Sequence, residues 1–170
     1  SLSDELPQNF CLYVGRIGEG KHIKEIIREF ENCDLRLSLV IVSKENLAHF
    51  KNRNNIITLE NLDEAQLAAV YLKASCLIQM GESESFGLTI IEALHFGIPC
   101  IVNQNTTTST KLIKDGVNGY HLKKNEDIIK TVLSIINKRQ SLEAPELLNN
   151  SVKKYDWSIC ANQFLNQFVK

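Results

Sequence analysis

Two glutamates stand eight positions apart in "ESFGLTIIE", residues 84–92: Glu84 ahead of a Ser-Phe-Gly turn, Glu92 inside an apolar run. Ionised carboxylates only accept hydrogen bonds, so such a pair can take hydroxyl groups at the two ends of one ligand. If a helix starts near Phe86, the backbone amides of Phe86, Gly87, Leu88 and Thr89 are its unsatisfied first-turn donors, and with the helix dipole they form an anion site. Gly87 lets the backbone come close to a ligand. Carboxylates repel an anion, so Glu84 and Glu92 are expected on either side of it, accepting from hydroxyls. Glu92 lies roughly 9 Å along the helix axis from Phe86. That span suits a sugar at one end, a ribose at the other and a diphosphate between them. The alternative is plain surface chemistry. Glu84 is well placed near a helix N-terminus with no ligand at all, and Glu92 is then an ordinary exposed residue. The apolar neighbours Ile90, Ile91, Ala93 and Leu94 argue that part of this helix is buried.

A second candidate loop is "GRIGEGKH", residues 15–22. It approaches the P-loop pattern, with Gly15, four residues, Gly20 and Lys21. The next position, however, needs a Ser or Thr hydroxyl for magnesium and holds His22. No strand ends in an Asp that could serve the metal. The glycines run G-x-x-G-x-G, which is not the dinucleotide fingerprint either. Two readings stay open: a flexible β-α turn with solvated charges, or a loop whose Arg16 and Lys21 reach one anion, the planar fork and the point charge that suit a diphosphate.

The elements that must position these loops alternate along the chain. Apolar runs at 10–15, 35–43, 55–61, 76–80 and 99–103 read as strands, with a short one following the turn at 115–119. Ile23, Ile26, Ile27 and Phe30 recur at helical spacing, as do Leu67, Val70, Tyr71 and Ala74 after an Asp63/Gln66 capping box. Further helices are expected at 44–52, 86–96, 109–114 and 125–138, with two more in 144–170. Strand-helix alternation with continuous apolar strands predicts one doubly wound α/β domain over residues 1–170: a Rossmann-like parallel sheet of about six strands with helices on both faces. In such sheets ligands bind beyond the carboxyl ends of the strands. The loops after Val14, Val42, Leu59, Met80 and Val102 are therefore the places to look.

The bulk numbers exclude other classes. The net charge of −1 gives no basic footprint for nucleic acid. No apolar run approaches the roughly 20 residues of a membrane span, and the opening "SLSDELPQNF" carries no signal-peptide pattern. The cysteines are five, an odd number, with no C-x-x-C; they read as small buried hydrophobes of a reducing, cytoplasmic compartment. The four histidines show no metal-ligand spacing.

Together, "YVGRIGEGK" (13–21), "ESFGLTIIEALHFGIP" (84–99), "DGVNG" (115–119) and "YDWS" (155–158) resemble the C-terminal, donor-binding domain of retaining GT-B glycosyltransferases of family 4. The resemblance covers about residues 10–169. It implies that Arg16 and Lys21 bind the diphosphate and steady the departing nucleotide, electrostatic catalysis of the oxyanion-hole kind. Glu84 would hold hydroxyls of the transferred sugar and Glu92 those of the ribose. Gly15, Ser85, Phe86, Gly87, Leu88 and Thr89 would line the sugar and phosphates, with Leu59 and Glu60 against the base. It implies no cofactor and no metal, and the chain has no D-x-D motif. The donor would be UDP- or GDP-linked. The acceptor, a glycan or glycolipid of polysaccharide or cell-envelope synthesis, would be met through an N-terminal domain not contained in these 170 residues. The fragment is therefore expected to bind donor weakly and to transfer no sugar by itself. Full-length relatives often touch the inner membrane face. Three departures stand out: His22 where the family has Gly, Met80-Gly81 where it has Pro-Ser, and "NQNTTTSTKLI" where a Gly-Gly-x-x-Glu stretch is usual. The rival readings are a non-catalytic nucleotide-sugar binding module and a GT-B-like sugar-nucleotide epimerase.

Overall fold

A computed structural model describes residues 2–33, 36–82, 87–123, 127–138 and 145–155. Six strands form one sheet: β1 (Phe10–Val14), β2 (Ser38–Ser43), β3 (Ile56–Glu60), β4 (Cys76–Gln79), β5 (Cys100–Asn103) and β6 (Gly119–Leu122). Their order is β3-β2-β1-β4-β5-β6, and every pairing is parallel. The doubly wound sheet expected from the alternation is the fold observed.

Period-two alternation sends side chains to two separate cores. Cys11, Tyr13, Leu39, Ile41, Cys76 and Ile78 point to one face, where they meet α2 (Ile23–Glu31) and α6 (Ile128–Asn137). Phe10, Leu12, Val40, Val42, Leu77 and Val102 point to the other, against α3 (Glu64–Lys73), α4 (Leu88–His95) and α7 (Pro145–Val152). Ile23, Ile26, Ile27 and Phe30 of α2 are all buried. Each contributes roughly 1.5–3 kcal/mol relative to exposure, which is what holds this short helix on the sheet. A one-turn helix that the sequence does not announce, α1 (Leu2–Glu5), packs on α3.

The capping box starts α3 as expected. Asp63 Oδ1 accepts from the Gln66 amide at 2.8 Å, and the Gln66 side chain accepts from the Asp63 amide at 3.0 Å. Elsewhere boundaries move for physical reasons. α4 begins at Leu88 rather than Phe86, because Gly87 has φ 68° and cannot be a helical residue. α6 begins at Ile128, capped by Asp127, whose side chain accepts from the Lys130 amide. The expected helix over 44–52 is only a 3-10 turn at Ala48–Phe50, and α5 spans Thr107–Leu112 rather than 109–114. The last expected helix, with Trp157, Ala161, Phe164 and Phe168, lies outside the described residues. Cys11, Cys33, Cys76 and Cys100 are buried free thiols. Burial pushes the Cys11 and Cys100 thiols well above their ordinary range, so they pack as apolar groups. No helix among the described residues is long and apolar enough to cross a membrane.

The turn "DGVNG" returns the chain to β6 through two different glycines. Gly116 sits at φ 75° in open space. Gly119 instead lies against β5, and a methyl there would overlap the Cys100 carbonyl oxygen. Gly119→Ala is therefore expected to cost about 3 kcal/mol by overpacking, whereas Gly116→Ala costs about 1 kcal/mol of backbone strain alone. Urea unfolding of the two variants should show the larger loss of midpoint for Gly119.

Candidate functional site

The strand order reverses between β1 and β4, the topological switch point where doubly wound sheets bind ligands. Three loops meet at this carboxyl edge, and polar side chains tie them together. Gln79, at the end of β4, donates from Nε2 to the Val14 carbonyl at 2.7 Å and to the Thr89 hydroxyl at 3.0 Å. That joins the end of β1 to the first turn of α4. Asn103 donates to the Met80 carbonyl at 3.1 Å, and the Thr106 hydroxyl to the Gly81 carbonyl at 2.6 Å. The loop after β5 thus braces the loop after β4.

The glycine-rich loop 15–22 closes on the same place from the other side. Gly15, at φ 150°, donates its amide to the Val42 carbonyl. The Glu82 amide donates to the Gly20 carbonyl at 2.8 Å, and His22 Nε2 lies 2.9 Å from Glu82 Oε1. The Lys21 chain lies over Gly81, its Nζ 3.4 Å from where a Cβ would stand. The ammonium is thereby set at the entrance of the loop that leads to α4.

Arg16 goes elsewhere. Its Nε meets Glu45 Oε1 at 3.4 Å with the side chain 90% exposed, while Glu45 Oε2 accepts from the Ile17 amide at 2.7 Å. Glu45 belongs to the loop after β2 and Gly81 to the loop after β4, with β1 between them in the sheet. The structure therefore sets Arg16 and Lys21 on opposite sides of β1 and does not bring them to one point. An exposed pair of this kind is worth about 0–1 kcal/mol, so Arg16 is only lightly held.

A groove of about 460 Å³ opens on the Arg16 side, lined by Val14, Gly15 and Arg16 from the first loop, Val42 to Glu45 from the second, and Leu62 and Leu67 from the start of α3. Leu59 packs into the core on this side. Glu60 does not face the groove. Its carboxylate accepts from the Leu47 amide and pairs with Lys51 Nζ at 3.3 Å, on the other face of the sheet. Strand alternation separates the two neighbours that the sequence offered together.

Gly87, the N-cap of α4, has no side chain to cap it, and the first-turn amides of Leu88, Thr89 and Ile90 have no partner within the helix. The first-turn donors are thus shifted by one or two residues from those expected. Leu88 itself is 61% exposed beside them. Glu92, one turn on, is exposed. Its Oε2 accepts from Tyr71 Oη at 2.8 Å. Tyr71 is only 1% exposed and stacks on Phe96, with ring centroids 5.2 Å apart. Burial first, and the Glu92 carboxylate second, push the Tyr71 phenol well above its usual range, so it remains a donor. Glu84, Ser85 and Phe86 lie outside the described residues.

Sequence reasoning passed over Gln79, Asn103, Glu45 and the polar end of Tyr71. Gln79 and Asn103 did carry a signal, as polar residues closing otherwise apolar strands.

The fold belongs to a known class. Residues 3–154 match the family described as Glycosyl transferases group 1, and the chain belongs to that family. It is 31% identical over 159 residues to the alpha-monoglucosyldiacylglycerol synthase of Acholeplasma laidlawii, an alignment covering 87% of this chain and 38% of that protein. Its fold is similar to that of sucrose-phosphate synthase from Thermosynechococcus elongatus, with TM-score 0.83, 17% identity, and coverage of 96% of this chain and 46% of that one. It is also similar to Anabaena HepE, solved in complex with UDP-glucose, with TM-score 0.71, 15% identity, and coverage of 94% and 48%. These are GT-B folds, and the chain has the doubly wound architecture of one half of them. It spans less than half the length of each of these proteins.

His22, which stands where the family resemblance calls for glycine, keeps the left-handed backbone that glycine favours, at φ 55° and ψ 24°. Its ring contacts with Glu82 and Glu25 accompany that strain. Replacing His22 by Ala removes the contacts and retains the strain; replacing it by Gly removes both. His22→Gly is therefore expected to be more stable than His22→Ala by about 1 kcal/mol in thermal or urea unfolding.

Proposed function

We propose that this chain is the donor-binding half of a retaining glycosyltransferase that takes its sugar from a UDP- or GDP-linked donor. One observation carries the reading: at the β1/β4 switch point the N-terminus of α4, with glycine as its N-cap, is tied to the end of β1 beside a glycine-rich loop bearing Lys21, and a groove of about 460 Å³ opens next to it at the ends of β1 and β2. First-turn helix amides and an ammonium suit phosphate oxygens. The groove between the first two strand ends and Leu62 suits a nucleoside, with Glu92 taking ribose hydroxyls. Membership of the glycosyl transferases group 1 family supports the reaction class, and the UDP-glucose complex of HepE supports a nucleotide-sugar on this fold.

In this reading the bond between the anomeric carbon and the β-phosphate oxygen breaks with the electron pair moving onto the diphosphate. The protein's part is to stabilise that charge where it develops. Lys21 and the amides of Leu88, Thr89 and Ile90 are placed for it. Arg16 joins by leaving Glu45, a weak surface pair. The positive charge comes from these groups, and no metal is called for. Glu84, with Ser85 and Phe86 beside it, holds the transferred sugar on the grounds of the sequence. The acceptor, which the lipid-directed name of the Acholeplasma synthase suggests is a glycolipid or related glycan, is met through a further domain. The reaction belongs to the whole protein.

Calorimetric titration with UDP, GDP and their hexose conjugates tests these roles. Lys21→Ala and Glu92→Ala are each expected to weaken nucleotide diphosphate and nucleotide-sugar alike, by roughly 10- to 100-fold for a lost charge-assisted hydrogen bond. Glu84→Ala should weaken only the sugar conjugate. Equal loss of both ligands in the Glu84 and Glu92 variants would overturn the assignment.

A further inference from the structure

The carboxylate of Glu92 is exposed on α4, where a glutamate ordinarily samples several rotamers. Here one of its oxygens is already engaged. Tyr71 Oη donates to Oε2 at 2.8 Å, and Tyr71 itself cannot move. Its ring is buried in the core under α3 and α4 and lies nearly parallel to Phe96, at 7°. The helix that carries it is fixed at its start by the Asp63/Gln66 capping box. Leu67, one turn before Tyr71 on the same face of α3, lines the groove assigned to the nucleoside. A hydrogen bond from the core thus reaches an exposed acid on α4, one helical turn of α3 away from a residue that lines that groove.

We propose that Tyr71 is a positioning residue for donor binding: its hydroxyl locks the Glu92 carboxylate in the orientation that receives the ribose hydroxyls. This rests on the reading of Glu92 given above. The phenol uses one acceptor position of Oε2 and leaves the other positions of the carboxylate open. The rotamer of Glu92 is then ordered before the ligand arrives, and the ribose does not bear that cost. A purely structural role, giving the buried phenol an acceptor, leaves the ribose preference unchanged when the hydroxyl is removed, and that readout separates the two roles.

Tyr71→Phe removes the hydroxyl and keeps the stacked ring, so the fold is retained; the thermal midpoint checks this. UDP, GDP and their 2′,3′-dideoxy analogues are titrated into the full chain, into Tyr71→Phe, into Glu92→Ala and into the double variant. The expected result is that the wild-type chain prefers the ribonucleotides, and that Tyr71→Phe lowers their affinity about fivefold, the cost of ordering one long side chain. The dideoxy affinities stay unchanged, and Tyr71→Phe adds nothing in the Glu92→Ala background. If the wild-type preference for ribose depends on Glu92 but survives Tyr71→Phe, the positioning role is overturned while the ribose role of Glu92 stands. If wild type and Glu92→Ala bind ribonucleotide and dideoxynucleotide alike, or no diphosphate binds at all, the Glu92 reading fails and this inference with it. Equal weakening of ribo and dideoxy ligands by Tyr71→Phe also overturns it, as the mark of a general disturbance of the groove.

Discussion

Everything at the carboxyl edge depends on how the sheet ends its hydrogen-bond ladders. β1 pairs with β2 over five residues but with β4 over only two, Cys11 with Cys76 and Leu12 with Leu77. Beyond them the strands diverge, and the Val14 carbonyl loses its backbone partner on the β4 side. A buried carbonyl without a partner is costly. Gln79 removes that cost with its side-chain amide and uses its second hydrogen to hold Thr89. One residue therefore converts an opening in the sheet into a fixed relation between the end of a strand and the start of a helix. Where β4 and β5 diverge in turn, Asn103 and Thr106 do the same for the carbonyls of Met80 and Gly81. The crevice is a consequence of the topology, and its rigidity a consequence of three polar side chains.

This arrangement gives the site a stiff side and a loose side. On the stiff side, Lys21 lies over Gly81, and the Gly20–Glu82 and His22–Glu82 bonds hold its loop against the loop after β4. On the loose side, Arg16 leans on Glu45 in solvent. An anion meeting the stiff side finds its donors in place and bears little ordering cost. The same anion draws Arg16 only if it outcompetes a carboxylate, but at an exposed pair that competition involves about 1 kcal/mol or less. The two cations that the sequence presented as equals are thus energetically different.

The fold was legible because its signals are local. Short, continuous apolar runs bounded by turn residues read as strands covered on both faces, and Ile23, Ile26, Ile27 and Phe30 mark a helix by spacing alone. Boundaries were less legible. The start of α4 turned on the backbone of Gly87, whose left-handed φ moves the helix two residues along, and a glycine in a sequence does not say which region it will occupy. The site was half legible. Lys21, Gly87 and Glu92 stand out by type and spacing. The groups that orient them do not, since Gln79 reaches Val14 across 65 positions and Tyr71 reaches Glu92 across 21. Tyr71 was read from its helical spacing as a core residue, which it is. Periodicity assigns a face to a residue and says nothing about where the polar tip of an amphipathic ring emerges. Glu60 shows the converse: the family resemblance implies a role shared with Leu59, and the alternation of a strand separates them.

His22 and Thr106, at or beside departures from the family pattern, both bond the loop after β4 through their side chains. At position 22 the chain keeps a left-handed turn with a residue that resists it, and the imidazole lies against Glu82 at the mouth of the loop. A glycine would leave only the Gly20–Glu82 backbone bond there, whereas the histidine adds a side-chain tie between the two loops. On the proposed reading, the diphosphate sits where these loops meet, so the tie sets the spacing between Lys21 and the start of α4. Thr106 acts from the opposite side, holding the Gly81 carbonyl through a hydroxyl where the family resemblance calls for a glycine-rich stretch nearby. Both changes exchange backbone freedom for side-chain bonds to the same short segment, Gly81-Glu82. The loop after β4 is then held at its entrance by its neighbours, while its exit into α4 is held by Gln79 through Thr89. In the sequence, Glu84, the acid assigned to the sugar on the proposed reading, falls between those two anchors.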